Sequence, residues 1–89
     1  MIKILQATYC GNFQIQLEFA DHQAGMFDGH ALLSKSGSLL DALRDEVYFQ
    51  RFFVECGALC WPNGLELAPQ VIYQRLADHG LLRSLPLVA

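Results

Sequence analysis

The stretch "FQIQLEFA", residues 13–20, constrains the fold of this chain more than any other. Phe13, Ile15, Leu17 and Phe19 alternate with Gln14, Gln16, Glu18 and Ala20. Successive side chains of a strand point to opposite faces, so this run has one apolar face and one wet face. The residues before it are less regular. Ile2 and Ile4 share one parity while Leu5, Ala7 and Tyr9 share the other. A first strand there carries a bulge near Leu5 or is covered on both faces. "YCGNF" between the two is a tight turn in which Gly11 and Asn12 tolerate positive φ. A second turn at "ADHQ" leads to a short third strand, Ala24 to Asp28, and the three make an antiparallel meander.

From Gly29 the alternation stops and turn formers mix with apolar residues. Ser38 is placed to cap "LLDALRD" and Asp45 to cap "EVYFQRF", two pieces of one bent helix with Tyr48 and Phe52 on its apolar stripe. "FFVECGALCW" reads as a β-hairpin folded about Cys56 and Gly57. After the turn signal "PNG" and a short extended triplet, Pro69 fits the first position of a helix. That helix runs to His79, is apolar at Ile72, Tyr73 and Leu76, and stops at Gly80. Ala68 is a poor cap for it. The expectation is therefore one α+β domain over residues 1–80, an antiparallel sheet (the meander plus the later hairpin) packed with two helices. Residues 81–89 form an apolar C-terminal tail that docks on this subunit or on another.

Composition narrows the function. The chain has 89 residues, 53% of them hydrophobic and only 17% charged, against roughly 25% charged in an average soluble domain. Exposed apolar surface follows. Six Lys and Arg against nine Asp and Glu give a net charge of −3, and without a basic run direct nucleic-acid binding is not expected. No apolar stretch approaches the ~20 residues a membrane helix needs, and "MIKILQATY" lacks the build of a signal peptide, so the chain reads as cytoplasmic.

Three cysteines, Cys10, Cys56 and Cys60, cannot all pair within one chain and are read as reduced, buried thiols. Their spacing and number do not suit tetrahedral zinc, and neither a metal nor another cofactor is expected. His22 and His30 sit beside Asp21 and Asp28 in polar loops and read as solvated. No nucleophile elbow and no phosphate-cradling glycine loop occurs, so the residues offer no catalytic constellation. A binding module is the better reading, with an unidentified protein as its partner. The alternative is a small ligand-binding domain or enzyme using a cleft at "WPNG".

The candidate surface is the corner "CWPNGLELAP" with the helix after it, its binding residues Trp61, Asn63, Glu66 and Tyr73. Trp61 and Tyr73 also suit the core, while Asn63 and Glu66 are the pair expected at the surface. "GALCWPNGLELAPQVIY", Gly57 to Tyr73, resembles the signature of a small, mostly bacterial family called domain of unknown function 2442: a glycine turn, a strand ending in Trp-Pro-Asn-Gly, an acidic-leucine pair, a proline-started helix and a tyrosine. "FDGHALL" and "LRDEVYF" resemble two further segments of the same family. Gly29, His30 and Ala31 stand where the family has Leu, Ser and Pro, which implies a looser loop here. The resemblance also implies a regulatory role, because some relatives look like sensory halves fused to a helix-turn-helix domain. Others look like one member of a toxin–antitoxin pair. The apolar tail adds a separate expectation, a homodimer formed through residues 81–89.

Overall fold

In the computed structural model, which describes residues 1–86, the meander is built as the alternation requires. Strands β1 (Ile4–Tyr9), β2 (Gln14–Phe19) and β3 (Gln23–Asp28) pair antiparallel in sequence order. The register passes from Ile4 opposite Phe19 to Gln6 opposite Glu18, leaving Leu5 as the extra residue of a bulge. The parity conflict of the first strand is resolved in this way: Ile4, Ala7 and Tyr9 turn inward and Leu5 turns out to solvent. Phe13 differs from its expected place at the head of the second strand. It sits in the turn at φ 60°, held there because its N–H reaches the Tyr9 hydroxyl at 3.0 Å and its carbonyl takes the Gly29 N–H at 2.8 Å.

The loop expected to be loose after β3 is instead a short helix, α1 (Gly29–Leu33), and the reason is Asp28. Its carboxylate accepts the His30 N–H at 3.0 Å and so supplies the missing cap. Gly29 is required here by space: a Cβ would lie 2.7 Å from the Phe13 carbonyl and 2.6 Å from the Phe49 ring. The expected bent helix is two separate pieces, α2 (Ser38–Leu43) and α3 (Glu46–Phe49). Ser38 is the first helical residue of α2 rather than its cap, which is Gly37. Asp45 caps α3 as expected, accepting the Val47 N–H at 3.2 Å. The helices described are thus four, three of them short pieces, of which α2 carries Leu43 and α3 carries Phe49 into the core.

The hairpin β4 (Phe53–Glu55) and β5 (Ala58–Cys60) turns at Cys56 and Gly57, both at positive φ, and β6 (Glu66–Leu67) completes a second three-stranded sheet. One backbone bond, Ile4 N–H to the Gly57 carbonyl at 2.9 Å, ties it to β1. Helix α4 (Pro69–Asp78) begins on Pro69 with no side-chain cap from Ala68 and buries Ile72 and Leu76. Gly80 then takes φ 66° and turns the chain back. Within the described part of the tail, Arg83 and Ser84 dock on the chain's own sheet. Strand β7 (Arg83–Ser84) pairs with Ala24 and Gln23 to give the order β1-β2-β3-β7. The apolar end of the tail, Leu87, Val88 and Ala89, lies outside the described residues. The architecture is α+β, its core built from Ile4, Ile15, Leu17 and Phe19 of the meander against Leu43, Phe49, Leu59 and Trp61.

Candidate functional site

Trp61 is only 1% exposed. Its indole N–H donates to the Phe49 carbonyl at 2.8 Å, and its ring packs on Phe49 and Phe52 at centroid distances of 5.6 and 6.4 Å. A buried indole N–H needs such a partner, and the carbonyl at the end of α3 supplies it. Asn63 is half-buried and uses both ends of its amide. Nδ2 donates to the Leu39 carbonyl at 3.0 Å, while Oδ1 accepts the Leu65 N–H at 3.1 Å. With Trp61 N–H to the Leu65 carbonyl at 2.9 Å and Gly64 N–H to the Trp61 carbonyl at 3.1 Å, "WPNG" closes a turn that fastens α2 and α3 to the second sheet.

Tyr73 lies on α4, its ring edge-on to Phe19 at 5.1 Å. Its hydroxyl donates to Asp21 at 2.5 Å, locking the helix to the β2–β3 turn. Donation to that carboxylate, with burial added, raises the phenol pKa above its ordinary value. Glu66 is exposed and makes no side-chain hydrogen bond within the described residues. The four residues therefore do not converge on one point: two build the corner, one clamps α4, and one faces solvent.

A shallow cleft of about 210 Å³ does lie at the corner, lined by Phe53, Glu55, Cys60 and Glu66 among others. Burial first, then the carboxylates of Glu66 and Glu55, push the Cys60 thiol pKa up. A thiol held protonated is a poor nucleophile and a poor metal ligand. Cys60 is buried as expected, whereas Cys10 and Cys56 are exposed, because each sits at a strand end or turn rather than on an inward face. Among the described residues no three His, Cys, Asp or Glu side chains come together. His30 is not merely solvated. Its Nδ1 lies 2.8 Å from Asp28, and the His30 backbone N–H, followed by that ring, holds the Asp28 carboxyl below its ordinary pKa.

A second feature draws on residues far apart in the chain. Between α1 and α4 runs an apolar groove whose two adjoining lobes share Phe27, Ala31, Ile72 and Arg75. Lys35 and Leu67 stand at one end, His79 and Leu81 at the other. The lobes hold about 160 and 190 Å³. Each lobe alone lies below the roughly 300–1,000 Å³ of small-molecule sites and suits a single apolar side chain, while the two together reach the lower end of that range. Val71 on the wall is 66% exposed and Leu81 at the far end 54%, an arrangement that leaves apolar surface uncovered beside two cations. Among the described residues neither Lys35 nor Arg75 is paired with a carboxylate.

A family model described as "Protein of unknown function (DUF2442)" matches residues 4–78. The chain belongs to the DUF2442 family. No curated protein and no solved structure matches it significantly. The match takes in the meander, the corner and all of α4, and thus most of the groove; Leu81 and β7 lie beyond it. No helix of the DUF2442 chain, among the described residues, is long and apolar enough to cross a membrane.

Sequence reasoning missed Lys35, Val71 and Arg75. One signal was present, since Val71 and Arg75 are four apart on a helix and share a face that the stripe of Ile72 and Leu76 does not occupy. Lys35 carried none, because only the fold brings the end of α1 to the start of α4.

Proposed function

We propose that this DUF2442 chain is a non-enzymatic protein-interaction module, acting as the regulatory or neutralising member of a two-protein system. The observation that carries the first half is the apolar groove between α1 and α4, with Val71 standing open beside Lys35 and Arg75. An exposed apolar strip rimmed by polar groups is the usual mark of a protein-binding surface. The thiol at the corner cleft is held in its protonated form, which speaks against nucleophilic chemistry there and favours a binding role. The second half rests on the resemblance of the corner and its helix to relatives that look like members of two-protein systems.

The experiment is affinity capture from the native cell with three baits: wild type, Val71→Asp and Glu66→Lys. Both substituted residues are exposed, so neither change disturbs the core. A stoichiometric protein retained by wild type and Glu66→Lys but lost with Val71→Asp is the expected result. Loss with Glu66→Lys alone would move the interface to the "WPNG" corner. Capture of no protein by any bait would refute the module reading and favour a small ligand, to be sought by thermal shift.

A further inference from the structure

Given the interaction-module reading, on which this step rests, the geometry points to an acidic amphipathic helix as the occupant of the groove. The walls explain why a helix is favoured. α1 and α4 spend their backbone groups within themselves, and β3 spends alternate ones on β2, with Ala24 of β3 already taken by β7. The helical walls offer no backbone to an added strand and β3 only its short outer edge from Met26 to Asp28, so an occupant satisfies most of its own backbone and binds through side chains, as a helix does.

Length and lobes fit the same picture. α4 has 10 residues, a wall about 15 Å long at ~1.5 Å per residue, which is about three helical turns of a partner. The two lobes lie side by side along that wall. They can take apolar side chains spaced i and i+3 or i+4 on a facing helix.

Charge selects the partner. This chain carries a net charge of −3, yet the cations flanking the groove, Lys35 and Arg75, are both unpaired among the described residues. The other arginines with recorded partners are engaged elsewhere: Arg44 by Asp41 and two carbonyls, Arg51 over the Tyr48 ring. One carboxylate, Asp28, lines the groove, engaged by the His30 N–H and ring, so the two lobes carry two cations against one carboxylate. At the far end the His79 Nδ1 donates to the Arg75 carbonyl at 2.8 Å, which leaves Nε2 for a partner. A basic rim on an acidic protein selects carboxylates and repels cations.

The test uses the full chain and two synthetic helices of about sixteen residues, each with leucines at i, i+3, i+4 and i+7, one flanked by glutamates and the other by lysines. Binding is followed by fluorescence anisotropy at low and at physiological salt. The glutamate helix should bind at least about tenfold tighter than the lysine helix, with the preference shrinking in salt. Lys35→Glu with Arg75→Glu should reverse the order, and Val71→Asp should weaken both. All three positions are exposed, and circular dichroism serves as the check that the variants stay folded. Equal binding of both helices, lost in Val71→Asp, would overturn the charge inference and leave the module reading standing. No binding of either, together with Val71-dependent dimerisation in sedimentation velocity, would make a second copy the occupant and overturn the inference. If neither helix binds while a captured partner is still lost with Val71→Asp, the helix inference falls and the module reading stands; if neither helix binds and no bait captures any protein, both fail.

Discussion

Asn63 tests whether the "WPNG" corner is held together by that residue or merely contains it. Asn63→Ala removes two hydrogen bonds, one from Nδ2 to the Leu39 carbonyl at 3.0 Å and one to Oδ1 from the Leu65 N–H at 3.1 Å. A hydrogen bond of this kind contributes about 1 kcal/mol net, so the loss should be about 2 kcal/mol, somewhat less because the site is half-open to water. For a domain of this size about 2 kcal/mol lowers Tm by roughly 8–16 °C. Asn63→Asp is the graded control. It keeps the acceptor for Leu65 but loses the donor to Leu39 and sets a charge against that carbonyl, so it should cost at least about 1 kcal/mol. Glu66→Gln, at an exposed position without a side-chain partner among the described residues, should stay within about 0.5 kcal/mol of wild type. Urea denaturation followed by tryptophan fluorescence reads all three, since Trp61 is the sole tryptophan and is buried beside the turn. An Asn63→Ala protein within about 0.5 kcal/mol of wild type would refute the argument, because the two bonds would then contribute nothing.

Gly29→Ala drives a methyl group against the Phe13 carbonyl and the Phe49 ring, and should cost roughly 1–3 kcal/mol as overpacking in the same denaturation assay. Wild-type stability there would show that the two neighbours give way freely. In the native protein a maleimide reagent should label Cys10 and Cys56 quickly and Cys60 only on unfolding, since the first two are exposed and the third is buried; mass spectrometry counts the adducts, and fast triple labelling would contradict the burial. Tyr73 has a raised pKa because its hydroxyl donates to Asp21. The stability it contributes is therefore complete below the ordinary tyrosine value of about 10 and lost as pH rises through the higher folded value. Tm measured from pH 8 to 11 should fall more steeply for wild type than for Tyr73→Phe, and parallel curves would refute the linkage.

What could be read from the residues, and what could not, follows from how local each cause is. The meander was legible because period-two alternation and the glycine–asparagine turn are written in adjacent positions, and the Cys56-Gly57 hairpin for the same reason. Helix α4 was legible from Pro69 and Gly80, which act on their own backbones. Helices α2 and α3 were legible from Ser38 and Asp45, though not their separation, whereas α1 was not, because a single turn has no sustained period to show. α1 exists on the strength of one carboxylate, Asp28, caught by the N–H of His30. The fourth strand of the main sheet was equally hidden: two residues of tail acquire strand character only by lying beside Gln23 and Ala24.

The same distinction separates the corner from the groove. "CWPNGLELAP" stands out as a string because its turn, tryptophan and helix start are consecutive, and consecutive residues with strong local preferences build corners as readily as they build sites. In this fold the polar groups of Trp61 and Asn63 are spent internally, on Phe49, Leu39 and Leu65, and Glu66 alone of the four candidate residues faces solvent with its side chain unpaired among the described residues. The groove draws Phe27 from a strand, Ala31 and Lys35 from α1 and its end, and Val71 and Arg75 from α4, none of them notable in its own neighbourhood. Recognition requires groups left unsatisfied by the fold, and two cations beside an open valine meet that condition where Trp61 and Asn63 do not. Reversing the charge of Lys35 and Arg75 should accordingly alter partner choice while sparing stability, and Asn63→Ala should lower stability while sparing partner choice in whatever fraction stays folded.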